Sequence, residues 1–315
     1  MNFLLERLLK PWHPTLLGVT ALLFVFYVGR FWSSGNDETL AVWAIEQIHG
    51  RITRDEKQSG KPVIALDLSD PREFRVADLI KDPALKQLRE FKYLRTLNLT
   101  GTRITDHGMK ELKELSALES LDLSLTNLTD AGVTELAGLS SLRDLNLGYV
   151  RVTDKSLHAL TALGNLRKLS LRNTKVTDHG MKELTELSTL ESLDLRLTNL
   201  TDAGVTELAG LSSLHDLNLD GVGLTDKSLN ALTELGNLRK LSLHDTKVTD
   251  DGLMSIGRLA ALQDLHLGGT KISDAALGEL TKVKELRLLC LEGTLVTDAG
   301  IARLKRDRPG LEVLR

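Results

Sequence analysis

The amino-acid sequence predicts an α/β solenoid, in which short strands and short helices alternate and stack coil upon coil. From Tyr93 onward the chain repeats with a period of 24 residues, and a period of about 20–50 residues is the signature of stacked repeats. Within each unit, leucines alternate at period two and then recur at spacing three, which fits a strand followed by a helix. Tyr149 is the only aromatic residue after Tyr93, so leucines must build the core.

An apolar run near the N-terminus predicts a membrane anchor. Leu16 to Trp32 is almost entirely apolar, and a membrane-spanning helix needs about 17–25 such residues. In a helix, Trp12 and Trp32 would lie about 30 Å apart, which suits aromatic belts at the two membrane interfaces. We therefore predict a transmembrane signal-anchor helix over residues 15–33, with residues 1–14 in the cytoplasm.

Two alternatives remain open for this run: a cleaved signal peptide and a helix buried in a soluble core. The residues that follow it lack the small-residue pattern of a signal-peptidase site. Arg7 and Lys10 precede the run, whereas acidic Asp37 and Glu38 follow it. The positive-inside rule then places the rest of the chain outside the cytoplasm, in a periplasm or at the cell surface. Arg30 opposes this orientation because it adds a positive charge on the far side.

Residues 34–62 are interpreted as a linker followed by a helix that covers the open end of the repeat array. The segment from Ser33 to Asp37 is small and polar, as is typical of linkers. Trp43, Ile45 and Ile48 are spaced for one face of a helix.

The repeat domain is assigned to residues 63–315. Each unit follows the pattern L-x-x-L-x-L-x-x-T-x-V-T-D-x-G-L-x-x-L-x-x-L, and the nine units begin at residues 93, 117, 141, 165, 189, 213, 237, 261 and 285. A degenerate unit at Val63 to Leu68 precedes them, and Pro309 to Arg315 forms a truncated final strand. One unit cannot bury both its strand and its helix leucines, so the units must stack.

A Thr-Asp pair precedes each predicted helix, as at Thr105 and Asp106. There it can cap the first backbone amides and complement the helix dipole. The regular aspartates from Asp106 to Asp298 suggest calcium as an alternative, but one carboxylate per coil is too few for a calcium cage. A glycine at the third helical position, such as Gly108, permits close approach of the neighbouring coil.

The 24-residue motif resembles the leucine-rich repeats of bacterial proteins and of F-box-associated repeat proteins, over residues 63–315. This resemblance implies a curved α/β leucine-rich-repeat solenoid, with a parallel sheet on the concave face, short helices on the convex face and a role as a binding scaffold. Thr102 and Val150 occupy the position of the usual asparagine, and we expect a hydroxyl ladder in place of an asparagine ladder. No F-box-like segment precedes the repeats, which argues against a ubiquitin-ligase subunit.

Composition excludes several classes of function. The 40 basic and 43 acidic residues leave a net charge of −3, which argues against nucleic-acid binding. The single cysteine, Cys290, rules out intramolecular disulfides and multi-cysteine zinc sites, and it is interpreted as an idle thiol. No nucleotide-binding, hydrolase or zinc-protease motif is found. We therefore predict that the protein is not an enzyme and holds no cofactor or metal.

Function is predicted to lie in the outward-facing strand positions, because the repeats bury their leucines. Arginines and Tyr149 mark one part of this face, and His and Asp residues mark another. Solvated residues without a role, a ligand site and a metal site are the alternatives for the His/Asp part. The predicted partner-binding residues are Arg143, Tyr149, Arg167, Arg172, Glu191, Arg196, His215, Asp216, Asp220, Arg239, His244, Asp245, Asp264 and His266.

The leading hypothesis is a membrane-anchored scaffold that binds an unidentified protein on the concave face of the array. Two alternatives are a surface protein that self-associates along the solenoid and, with less support, a substrate-recognition subunit of an F-box-like ubiquitin ligase. An enzymatic alternative rests only on the His/Asp part of the face.

Overall fold

A computed structural model describes residues 38–47, 50–69 and 80–315. Within these residues, twelve strands form one sheet in which neighbours in space are also neighbours in sequence. The strands are β1 (Arg51–Arg54), β2 (Val63–Asp67), β3 (Thr96–Asn98), β4 (Ser120–Asp122), β5 (Asp144–Asn146), β6 (Lys168–Ser170), β7 (Ser192–Asp194), β8 (Asp216–Asn218), β9 (Lys240–Ser242), β10 (Asp264–His266), β11 (Leu288–Cys290) and β12 (Glu312–Leu314). β1 is antiparallel to β2, and all later neighbours are parallel. The predicted α/β solenoid is confirmed.

The 24-residue period sets the register of the parallel strands. Leu193 at the centre of β7 pairs with Leu169 of β6 and with Leu217 of β8. Side chains alternate across a strand, so Leu193 is buried while Ser192 and Asp194 on either side of it are half-exposed. The inner face of the sheet is therefore a ladder of leucines, and the outer face is polar.

Short helices return the chain from one strand to the next, and most of the α-helices begin at the aspartate of the Thr-Asp pair. The α-helices are α1 (Glu38–Gln47), α2 (Asp82–Leu85), α3 (Asp130–Thr134), α4 (Asp154–Leu160), α5 (Asp178–Leu184), α6 (Asp202–Glu207), α7 (Asp226–Leu232), α8 (Asp250–Ile256) and α9 (Asp298–Asp307). The 3₁₀-helices are Lys86–Glu90, Gly108–Glu114, Glu135–Gly138, Leu208–Gly210 and Leu277–Lys282. The predicted threonine caps are present in several coils; the Thr201 hydroxyl, for example, accepts a bond from the Ala203 N–H.

One continuous hydrophobic core runs from Ala41 to Leu311. α1 contributes Ala41 and Ile45 to it and contacts both β1 and the 3₁₀-helix Lys86–Glu90. β1 pairs with β2 and so occupies the first edge of the sheet, although the sequence interpretation, a linker and a capping helix over residues 34–62, included no strand there. Ile48 lies outside the described residues, as does the side chain of Trp43.

The predicted anchor, residues 15–33, also lies outside the residues that the structure describes. Among the helices of the described part, none is long and apolar enough to cross a membrane.

A ladder of aspartates joins successive coils. The Asp202 carboxylate accepts hydrogen bonds from both the N–H and the hydroxyl of Thr225 in the next coil, each at 2.7 Å. The same two bonds recur along the described coils, with Ser273 as the donor in one of them. The accepting residues are Asp82, Asp106, Asp130, Asp154, Asp178, Asp202, Asp226, Asp250 and Asp274. The aspartates thus bond coil to coil, in addition to the predicted role at their own helix.

The regular spacing of glycine beside these aspartates has a steric reason. A Cβ atom on Gly108 would lie 2.6 Å from Asp82 Oδ1, and one on Gly204 would lie 2.3 Å from Asp178 Oδ1. The predicted close approach of coils at Gly108 is therefore confirmed, and the group that approaches is the carboxylate of the ladder.

The expected hydroxyl ladder is wrong in one respect. The Thr102 hydroxyl donates to the Leu99 carbonyl at 2.7 Å, and Thr174 donates to Leu171 in the same way. These bonds close a turn within one coil and do not cross to the next. The hydroxyls of Thr102 and Thr174 each reach the carbonyl three residues earlier in their own coil. The hydrogen bonds between coils are accepted by the longer Asp side chains instead.

The ladder predicts a loss of stability in acid. Burial alone would raise the pKa of Asp202, but the hydrogen bonds from Thr225 outweigh it and lower that pKa. An aspartate whose pKa is lowered in the folded state stabilises it above the unfolded pKa of about 3.9 and ceases to do so as pH falls through the lower folded pKa. We expect the urea concentration at the midpoint of unfolding to decrease as the pH is lowered below about 4. This decrease should be smaller in Asp202→Ala than in the wild-type protein. Equal acid sensitivity of the two proteins would contradict this role.

Candidate partner-binding surface

The face of the sheet that points away from the core carries the predicted site. The structure places each predicted residue on a strand of that face or within three residues of one. Five directly precede strands: Arg143, Arg167, Glu191, His215 and Arg239. Three lie within strands: Asp216, Asp264 and His266. Six follow strands by two or three residues: Tyr149, Arg172, Arg196, Asp220, His244 and Asp245.

A shallow depression of about 400 Å³ crosses this face from β2 to β7. Arg143, Arg167 and Glu191 line it. Arg167 donates to Glu191 at 2.8 Å, and Arg95 forms a second ion pair with Glu119 at 3.9 Å. Part of the depression thus neutralises its own charge. A second depression of about 390 Å³ adjoins it and includes His215.

Tyr149 and Arg172 meet beside the ends of β5 and β6. The Arg172 guanidinium carbon lies 5.2 Å from the centroid of the Tyr149 ring, within the range of a cation–π contact. Arg172 Nε is buried without a hydrogen-bond acceptor. Within the described part of the chain, the Arg172 side chain forms neither a hydrogen bond nor an ion pair, so its charge is held in place but not neutralised.

Arg196 behaves differently although it occupies the same position one coil later. Its guanidinium donates twice to the Asp194 carboxylate, at 2.9 and 2.7 Å. The hydrogen bond with Asp194 raises the pKa of Arg196. Because Arg196 and Arg167 are both paired, the positive part of the face is narrower than the sequence suggested and centres on Arg143, Arg172 and Arg239.

The His and Asp side chains of this face form separate local contacts and do not converge on one point. Asp220 accepts from the His244 N–H at 2.9 Å, and the His244 ring lies 3.1 Å from the Asp245 carboxylate. Burial raises the pKa of Asp216, while His266 Nε2 is buried without a partner. No group of three or more His, Cys, Asp or Glu side chains in the described residues is placed to hold a metal ion.

Cys290 at the end of β11 is partly buried. Burial raises the pKa of its thiol, and the neighbouring carboxylates of Asp264, Glu312 and Glu292 raise it further. The thiol is therefore protonated at neutral pH, which makes it a poor nucleophile.

The sequence reading missed two groups of residues on this face. One group comprises Asp144, Lys168 and Lys240, each at the first position of its strand. They occupy the same position of the 24-residue repeat, so the period alone would have placed them in one row. Leu125 and Leu197 are exposed beside the ends of β4 and β7. Their signal was also in the repeat: they occupy a position that holds glycine in other units.

These stacked coils define a solenoid protein with a polar sheet face that no other element among the described residues covers. Two family models, both described as leucine-rich repeat, match the sequence, one at residues 92–152 and the other at residues 186–209 and 237–257. The coils are therefore leucine-rich repeats, and the fold is the α/β leucine-rich-repeat solenoid with its parallel sheet on the concave side. This fold is typical of protein–protein interaction domains.

The chain is similar to solved structures that include two proteins of a bacterium and one of a plant. An internalin, inlF, from Listeria monocytogenes aligns with a TM-score of 0.47 and 18% identity over 88% of this chain and 94% of its own. Internalin C2 from the same species has a TM-score of 0.43 and 26% identity over 70% and 80% of the two chains. The plant peptide hormone receptor RGFR1, in complex with RGF2, has a TM-score of 0.45 and 18% identity over 72% and 36%. A search of curated protein sequences finds no match.

Proposed function

We propose that this protein is a membrane-anchored scaffold that binds a protein partner on the concave sheet face of its repeats. The observation that supports the proposal is the arrangement of side chains on the exposed face of the sheet. The parallel sheet presents partly exposed charged side chains on successive coils around a depression of about 400 Å³, and no element of the described chain covers it. Solenoid proteins of this kind use such extended concave surfaces for binding.

The membrane part of the proposal rests on the sequence. The apolar run at residues 15–33 suits a single-pass anchor. Arg7 and Lys10 before it support a cytoplasmic N-terminus. The repeats then lie outside the cytoplasm, in a periplasm or at the cell surface. A tethered scaffold would present its concave face to a partner within reach of the membrane.

Charge supports a polar partner bound through electrostatic attraction. Arg143 and Arg239 form no ion pair in the described part of the chain, and both are exposed. Asp216 and Asp264 stand on the other part of the face. Complementary charges speed encounter more than they strengthen binding, and salt screens them. Capture of the partner should therefore weaken as salt rises.

Crosslinking on intact cells that express the chain, or on their spheroplasts where an outer membrane encloses a periplasm, tests both parts together. A membrane-impermeant crosslinker should capture the partner on wild-type protein, because the repeats face outward. Charge reversal on the sheet face, Arg143→Glu with Arg239→Glu, should reduce capture by about tenfold or more. The measurement is the amount of crosslinked partner recovered per molecule of chain, alongside a thermal melting curve for each variant.

The control is Lys110→Glu, an exposed lysine in the 3₁₀-helix Gly108–Glu114 on the convex side. It reverses one charge away from the sheet, half the charge change of the double variant, and it should leave capture intact. Loss of capture in the control alone would assign binding to the helical side. Capture that occurs only after the anchoring membrane itself is permeabilised would reverse the proposed orientation.

A further inference from the structure

The chain turns sharply three residues after each of the strands β3 to β11, at a position with positive φ. In four coils this position is glycine: Gly101, Gly221, Gly269 and Gly293, with φ between 67° and 73°. In five others it is Leu125, Tyr149, Asn173, Leu197 and Asp245, with φ between 52° and 62°. Asn and Asp tolerate this left-handed conformation, whereas leucine and tyrosine are strained in it.

The strain at Leu125, Tyr149 and Leu197 is not offset by burial of their side chains. Their exposed fractions are 56%, 38% and 48%. Each of these residues thus combines a disfavoured backbone conformation with an apolar surface left in water. Glycine in the same position of neighbouring coils shows that the fold does not need a side chain there. Strained residues that the fold does not require point to function.

Leu125, Tyr149, Asn173 and Leu197 follow one another on four successive coils, and we call them the turn ridge. Coils stack about 4.8 Å apart, so the turn ridge is about 14 Å long. An extended peptide rises about 3.3 Å per residue, so about five residues would cover this length.

Arg172 supplies a charge beside the turn ridge. Its guanidinium lies over the Tyr149 ring, and its buried Nε lacks an acceptor. By contrast, Arg95, Arg167 and Arg196 are paired with carboxylates of this chain. A planar guanidinium held against an aromatic ring is suited to bind a carboxylate through two hydrogen bonds.

We propose that the turn ridge binds an extended segment of a partner protein in which apolar side chains flank an acidic residue. The apolar side chains cover Leu125, Tyr149 and Leu197, and the carboxylate accepts hydrogen bonds from Arg172. This inference rests on the proposed function and names the part of the face and the chemistry of the partner. Aromatic and arginine anchors of this kind carry most of the binding energy in interfaces.

The probe is a phage-displayed library of random peptides of about twelve residues, selected on the purified full-length chain in detergent. Selected peptides should share an Asp or Glu flanked by apolar residues. Their affinity should fall by about tenfold or more in Arg172→Gln and in the double variant Leu125→Gly with Leu197→Gly. The double variant should melt at the wild-type temperature or above it, because glycine relieves the strain.

Two matched controls should keep wild-type affinity. Met254→Ala removes an exposed apolar side chain on the helical side, and Arg287→Gln removes an exposed arginine beside β11. Failure to select any peptide, selected peptides without an acidic residue, or unchanged affinity in the turn-ridge variants would overturn the proposal. A lower melting temperature of the double variant would also overturn it, because the leucines would then serve the fold.

The outcome also separates this inference from the proposed function. If peptides or the crosslinked partner lose binding in Arg143→Glu with Arg239→Glu but not in the turn-ridge variants, the sheet face binds and the turn-ridge assignment falls. If none of these variants affects crosslinking but Lys110→Glu does, both the turn-ridge assignment and the proposed binding on the sheet face are wrong. A dimer in sedimentation that the glycine variant dissociates would assign the ridge to a second copy of this chain and overturn the partner segment.

Discussion

Replacing Leu193 with alanine is expected to lower the free energy of unfolding by about 2–5 kcal/mol. Leu193 is only 1% exposed at the centre of β7, where it packs in register between Leu169 and Leu217. Alanine would remove buried methyl groups and leave a cavity that the two neighbouring coils cannot close. Because every coil contacts only its neighbours, the lost packing energy weakens the contacts between coils in the middle of the array.

The control for this substitution lies in the same repeat. Leu197 is 48% exposed, and Leu197→Ala removes the same atoms without opening a cavity. Its effect should stay within about 0.5 kcal/mol. Urea denaturation followed by circular dichroism measures both variants. A cost below about 1 kcal/mol for Leu193→Ala would mean that the inward phase of the strand is misassigned.

Replacing Asp202 with alanine is expected to cost about 2–3 kcal/mol. The carboxylate accepts two hydrogen bonds from Thr225 in the next coil, and bonds to a charged acceptor are stronger than bonds between neutral groups. Alanine would leave the N–H and the hydroxyl of Thr225 without their acceptor. It would also remove a negative charge from the start of α6, where the helix dipole favours one.

Asp251→Ala provides the matched comparison. Asp251 lies in the first turn of α8 like the ladder residues, but it is exposed and does not bond to the next coil. It should cost less than about 0.5 kcal/mol. If the two alanine variants melted alike, the inter-coil bonds would contribute nothing and the stability of the stack would rest on leucine packing alone.

Much of the fold could be predicted from the sequence because its determinants are local and repeated. Leu97, Leu121 and Leu145 recur at the same phase, so the buried face of each strand follows from period two alone. The same spacing defines the helices and the glycine that admits the neighbouring coil. The rows of outward side chains, and hence the extent of the candidate surface, follow from that phase as well.

Contacts between coils could be assigned only from the tertiary structure. The partners in the aspartate ladder are 23 residues apart, and a motif that places Thr and Asp side by side suggests a helix cap more readily than a bond to the next coil. The hydroxyls of Thr102 and Thr174 show the opposite case. They were expected to bond between coils, yet each donates to a carbonyl three residues earlier and closes a turn within its own coil.

The sequence by itself thus determined the solenoid, its register and the face on which side chains are free, since hydrophobic periodicity depends on backbone geometry that every coil shares. Only the tertiary structure decided which of those side chains are available. Arg172 and Arg196 are equivalent in the repeat, but Arg196 is bound to Asp194, whereas Arg172 lies over Tyr149 without an acceptor. That difference depends on the residues of adjacent strands and on the positive φ at Tyr149, which a linear pattern does not specify.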